Sequence, residues 1–203
     1  MPADAAHRSL SDQFDHLFRV IASKRFLTCQ GLNNEVPFFI APFDPADTVE
    51  MAQIIRNLIL KLGQSGVRVL EVNLYDLCLE LLAERKLLDR ILDNESEWSR
   101  DQLKELLQGV LDPEQHLVPA IARRMTTADF AVLFLTGVGE IYPYIRSHTV
   151  LNNLQSTAKE QPTVMFFPGT YTHSLEQGAS LDLFGQLHDD KYYRAYNLNT
   201  YEA

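Results

Sequence analysis

Apolar positions along this chain follow two rhythms, one of adjacent or alternate residues and one of every third or fourth, and their succession predicts strands followed by helices. Phe14, Leu17, Phe18 and Ile21 have helical spacing and predict a short amphipathic helix near the N-terminus. Residues 36–41 form an apolar run of strand length, after which Met51, Ile54, Ile55, Leu58 and Leu62 mark one helical face that stops at Gly63. Asp47 and Glu50 at the start of that helix have the spacing of a capping box. A second strand is expected over residues 67–72, with Glu71 its odd member. Leu74, Leu77, Cys78, Leu81 and Leu82 then predict a helix entered at Asn73, a residue type suited to the N-cap.

Residues 85–126 read as mostly helical. Leu87, Leu88, Ile91 and Leu92 fall in one helix. Leu103, Leu106, Leu107 and Val110 fall in a second, capped by Ser99 with Gln102, and a third starts at Asp112 and is kinked or restarted at Pro119. This is long for one crossover, so it is expected to be a helical insertion whose simplest role is to cover one face of the sheet. Residues 130–135 form a near-continuous apolar run, as in a parallel strand covered on both faces. Thr136, Gly137, Val138 and Gly139 break it, and Pro143 suits the first turn of a following helix. A fourth strand over 163–167 is ended by Pro168 and Gly169. Residues 170–180 are expected to be an exposed polar loop, Leu181, Leu183, Phe184 and Leu187 a short helix, and residues 192–198 a fifth strand. The whole predicts one α/β domain over residues 1–203, with 1–12 mobile. Its expected architecture is a three-layer α/β/α sandwich with a mainly parallel five-stranded sheet.

Composition narrows the function. Hydrophobic residues make up 46% and charged residues 22% of the 203, which is ordinary globular usage. The apolar runs are too short for a membrane span, and the N-terminus lacks the pattern of a secretory signal, so a cytoplasmic protein is expected. Cys29 and Cys78 have no metal-ligand spacing and read as reduced thiols. A formal charge of −9 without a basic stripe argues against direct nucleic-acid binding.

The order of elements resembles that of a P-loop NTPase, but the chemistry of one is missing. The first strand leads into Pro42, Phe43, Asp44, Pro45, Ala46 and Asp47, without the glycines and lysine that cradle phosphate. The third strand ends in Leu135 and Thr136, without carboxylates for magnesium. Gly137-Val138-Gly139 lacks the third glycine of a dinucleotide fingerprint, with Tyr142 in its place, and reads as a tight turn. Glu140 is expected near a helix start. Arg146 and His148 lie two apart and point to different sides of a helix, so they do not form a catalytic pair. His148, grouped with Asn152, is expected to be a hydrogen-bonded, partly buried histidine. Arg146, grouped with Asn153, is expected to meet a carboxylate or a partner. No cofactor, metal or catalytic residue is predicted. Paired carboxylates at Asp44 and Asp47, or Asp189 and Asp190, are explained by capping and turns.

One resemblance adds to this reading. FLTGVGEIYPYIRSHTVLNNLQ from Phe134, NEVPFFIAPFDP from Asn34, VRVLEVNLYDLCLELL from Val67 and FFPGTYTHSLEQGASLDLFGQL from Phe166 resemble, in order, blocks of the BrxB family of bacteriophage-exclusion (BREX) operons. The resemblance implies a non-catalytic interaction protein of a phage-defence system. Its implied partners are the operon's PglZ protein and, behind it, the PglX methyltransferase. Candidate contact surfaces are Glu140 to Asn153, Thr170 to Ser180 and the helical insertion. The alternative is a nucleotide- or metal-dependent enzyme or regulator in which Asp44, Thr136, Glu140 and Arg146 converge at the carboxyl edge of the sheet.

Overall fold

A computed structural model describes residues 9–30, 37–174, 178–185, 187–190 and 195–202. Two helices, α1 (Leu10–Ile21) and α2 (Lys24–Leu27), precede β1 (Phe38–Phe43). Then follow α3 (Thr48–Gln64), β2 (Val69–Asn73) and α4 (Leu74–Glu84). The insertion contributes α5 (Leu88–Asn94), α6 (Arg100–Val110) and α7 (Val118–Thr127). After β3 (Val132–Thr136) come α8 (Ser147–Leu154), β4 (Thr163–Ser174), β5 (Gly178–Leu183), β6 (Leu187–Asp190) and β7 (Tyr196–Asn197). In the sheet the order is β2-β3-β4-β1-β7, all neighbours parallel, and β5 and β6 extend it as antiparallel strands from the far half of β4.

Alternation along the strands creates the three layers. Phe38, Ile40, Leu133, Leu135, Met165 and Phe167 face one side, where they meet Leu77, Leu81, Ile91, Leu107, Ile121 and Leu151 from α4 to α8. Phe39, Ala41, Val132, Phe134, Val164 and Phe166 face the other, against Leu17, Ile21, Phe26, Met51, Leu58 and Leu62 from α1 to α3. The insertion therefore covers one face of the sheet. Ser99 and Gln102 form the full capping box at the start of α6, and Pro119 falls in the first turn of α7, behind a short π-helical turn at Pro113–Leu117.

The parallel five-stranded core matches expectation, and several local expectations do not. Leu10, Ser11 and Asp12 belong to α1, which Ser9 caps; residues 1–8 lie outside the described residues. Val36 does as well, and β1 starts at Phe38. Asp47 makes no side-chain capping bond; Asp44 instead caps a 3-10 turn at Pro45–Asp47 by accepting the Ala46 N–H at 2.9 Å. The helix after β3 starts at Ser147, and residues 138–144 are turns with a cis Tyr142–Pro143 bond. Val138, Ile141 and Ile145 are buried there, so their spacing serves packing without a helix.

The largest correction concerns residues 170–187. Among the described residues neither the expected loop nor the short helix is found; β4 runs on to Ser174 and pairs with β5, Tyr171 opposite Leu181 and Gly169 opposite Leu183. Tyr171, Leu181 and Leu183 are buried while Thr170 and Thr172 are exposed, which is strand alternation. The Tyr171 hydroxyl donates to the Ala195 carbonyl at 2.6 Å and fastens the hairpin to the C-terminal segment. The fifth parallel strand is only Tyr196–Asn197, and Tyr192 to Arg194 fall outside the described residues.

Candidate functional site

Where β1, β2 and β3 end and β4 leaves its parallel neighbours, the chain forms a cleft of about 610 Å³. Met51 and Ile55 of α3, Phe166 of β4 and Val138 of the turn after β3 supply apolar lining. Four carboxylates also line it: Glu71 of β2, Asp76 and Glu80 of α4, and Glu140. The cations there are Arg56 and Arg124, and Arg124 is paired with Glu80. Arg56 donates to Gln53 at 2.7 Å. Thr136, buried at the end of β3, donates its hydroxyl to Glu71 at 2.9 Å and so ties the carboxyl ends of two neighbouring strands together.

The rim is built by close approaches. Asn73 caps α4, its Oδ1 accepting the N–H groups of Tyr75 at 2.9 Å and Asp76 at 3.2 Å. Gly137 lies directly against that cap: its φ is +70°, and a Cβ there would stand 2.2 Å from Asn73 Oδ1. The glycine is therefore explained by turn conformation and packing. Gly139 faces Pro168 and Phe184, which a Cβ would approach to 3.0 and 3.2 Å. Asn73→Ala is expected to cost about 1 kcal/mol, the usual value of an N-cap. A thermal melt should show it as a fall of about 2–4 °C; an unchanged midpoint would mean that the cap contributes nothing.

Of the residues singled out from sequence, Thr136, Gly137, Gly139 and Glu140 line the cleft. Asp44 is exposed at the end of β1 and does not line it. Arg146 is exposed at the position before α8, and neither it nor Asp44 lines the cleft with Thr136 and Glu140. His148 is buried with its Nε2 3.1 Å from the Thr149 hydroxyl, while Asn152 is exposed on α8 and Asn153 donates to the Thr149 carbonyl at 2.8 Å. Sequence reasoning did not bring together Asp76, Glu80, Arg56 and Arg124, which reach the cleft from helix surfaces. Asp76 and Glu80 have the i, i+4 spacing that puts two carboxylates on one side of α4. Glu71 was visible as a charge in an apolar strand.

Among the described residues no group of three or more His, Cys, Asp or Glu is placed to hold a metal ion. Nor is any helix among them long and apolar enough to cross a membrane. Burial pushes the Cys78 thiol up to about 12 and raises that of Cys29, so neither is activated as a nucleophile or ligand.

The sequence profile of the family described as "BREX protein BrxB" matches residues 70–198. A BREX protein BrxB of Bacillus cereus (strain H3081.97) is 35% identical over 195 residues, 94% of this chain and 98% of that one. Another, of Escherichia coli O9:H4 (strain HS), is 28% identical over 178 residues, 88% of this chain and 86% of that one. No solved structure gives a significant match. The matched segment runs from β2 through the cleft-lining turn after β3 to β7, so on both the profile and the near full-length identity the chain belongs to the BrxB family of BREX proteins.

Proposed function

We propose that this chain serves its BREX phage-defence system as a non-catalytic interaction component, binding PglZ and helping to assemble the defence complex. Family membership supports a role alongside other BREX proteins. The observation that carries the non-catalytic part is the chemistry of the carboxyl edge. Four carboxylates line the cleft, and Asp44 with a 3-10 turn stands where a nucleotide-binding sheet has its phosphate loop. A polyphosphate entering there would meet four carboxylates against Arg56 and an Arg124 already paired with Glu80, and no lysine is in the lining. Affinity capture of the tagged chain from cells expressing the whole operon should recover PglZ in near-equal amount, with PglX a further component of the same assembly. Capture without PglZ would sink the reading.

One feature favours a second reading, a small ligand bound at the carboxyl edge: the cleft's volume falls within the range of small-molecule sites. A ligand that binds only the folded state must raise the melting temperature. A clear rise with magnesium or a nucleotide would put this reading first.

A further inference from the structure

The parallel sheet ends at β2, and no strand among the described residues lies beyond it. The Val132 N–H donates to the Arg68 carbonyl at 3.3 Å, so Arg68 turns its backbone groups toward β3. Backbone direction alternates along a strand. Leu70 and Val72 therefore also bond β3, in register with Leu133 and Leu135, while Val69, Glu71 and Asn73 turn theirs outward. The carbonyl of Asn73 belongs to the first turn of α4. What remains is a row made of the N–H groups of Val69, Glu71 and Asn73 and the carbonyls of Val69 and Glu71.

Proteins that leave such a row exposed usually guard it with lysine, proline or a bulge. Val69–Asn73, VLEVN, contains neither lysine nor proline, and its register with β3 runs without interruption. The opposite end of the parallel sheet is the two-residue β7, which offers far less. The exposed Glu71 at the centre of β2 shares its strand face with Val69 and Asn73, beside the acidic cleft.

We infer that the outer edge of β2 is a docking edge at which a partner protein adds an extended segment as a further strand, with a lysine or arginine opposite Glu71. Main-chain hydrogen bonds supply the adhesion in this mode of recognition, and side-chain pairs supply the choice of partner. Charge selects the occupant. The edge holds one exposed carboxylate, the neighbouring cleft adds Asp76 and Glu140 beside the Glu80 that Arg124 already pairs, and the chain carries a formal charge of −9. A basic segment complements all of these. A second copy does not: the antiparallel register that pairs the whole of Val69–Asn73 with itself sets Glu71 opposite Glu71, where like charges destabilise.

The inference rests on the interaction reading above, and the experiment separates the two. Operon-encoded PglZ is the probe, captured by the tagged full-length chain. In Val69→Pro the lost N–H points outward, so the ladder to β3 keeps its bonds, and proline is tolerated in an edge strand of this geometry. Glu71→Lys leaves the backbone intact and reverses the selecting charge. Val69→Pro should melt near the wild-type temperature and Glu71→Lys somewhat below it, because the buried Thr136 hydroxyl loses its acceptor; both should still fold and capture at least tenfold less PglZ. In the wild-type complex, hydrogen exchange should slow at the Glu71 and Asn73 amides, which strand addition alone would cover.

Equal capture by wild type and both variants, or unchanged exchange at those amides in the complex, overturns this inference and leaves the interaction reading standing. Failure of wild type itself to capture PglZ overturns both. Protection of the same amides by self-association without PglZ overturns the choice of occupant.

Discussion

Phe39→Ala should lower stability by about 3–5 kcal/mol, the range found when a fully buried phenylalanine is cut back to a methyl group. For a chain of this size that is a fall in melting temperature of about 6–20 °C. Phe39 has 0% exposure and stands where separate parts of the chain meet. Its ring lies 4.6 Å from that of Phe26 in α2, 5.6 Å from Tyr196 in β7 and 5.3 Å from Tyr201, the last edge-on. Truncation removes the ring on which the N-terminal helices and the C-terminal segment both rest, and β1 gives no room for the cavity to collapse. Thermal unfolding followed by circular dichroism measures it. A loss below about 1 kcal/mol would contradict this packing, because even a methylene lost from a filled core is felt.

Gly169→Ala is the second large effect, and its cause is backbone geometry. Gly169 has φ +153°, and a Cβ there would stand 2.1 Å from the carbonyl oxygen of Asp182 and 3.0 Å from the Phe167 ring. The obstructing oxygen belongs to the backbone of the paired strand β5, so no side chain can swing aside. Strained backbone and overpacking each cost about 1–3 kcal/mol, so the substitution should cost about 2–6 kcal/mol in total. The damage should begin in the hairpin, where Gly169 faces Leu183. Urea denaturation measures the total, and limited proteolysis should cut first within residues 170–185. An unshifted midpoint with an uncut hairpin would refute the close approach of β4 and β5.

The parts of this fold that were legible in sequence are those whose apolar spacing has a single interpretation. Met51, Ile55, Leu58 and Leu62 all lie buried on one side of α3, and Val132 to Leu135 are all buried, as expected of a strand covered on both faces. The hairpin was misread because Leu181, Leu183, Phe184 and Leu187 fit a helix on spacing alone, and the strand signal of Leu181 with Leu183 is two residues long. Pro168 also looked like a strand end, yet β4 passes through it, still in register with Phe43 at the last position of β1. Beyond that point β4 exchanges its parallel neighbour for an antiparallel one, a tertiary event with no local signature.

The cleft was legible only on the turn after β3. Thr136, Gly137, Gly139 and Glu140 announce themselves because a strand, two glycines and an acid follow in direct succession. Glu80 and Arg124 meet across it although one lies on α4 and the other on α7. Each in isolation is an ordinary charged residue on a helix surface, and only the sheet order brings the two helices together. Asn73 was identified as a cap from its place between strand and helix; that it also excludes a side chain at Gly137 depends on the registration of β2 with β3.

The position of β1 has a consequence during synthesis. Its flanking strands are β4 and β7, so Phe38 finds its neighbour only at Thr163, and Phe39 its other neighbour at Tyr196. On a ribosome adding about 5–20 residues per second, the most apolar strand of the sheet therefore waits on the order of ten seconds for its first partner. During that interval α1 and α3 can shelter one face of β1, but both of its backbone edges stay open. A nascent chain stalled before residue 163 carries an incomplete sheet whose first strand is open on both edges. For this molecule the hazardous stage of life is the interval before residues 163–197 have been made.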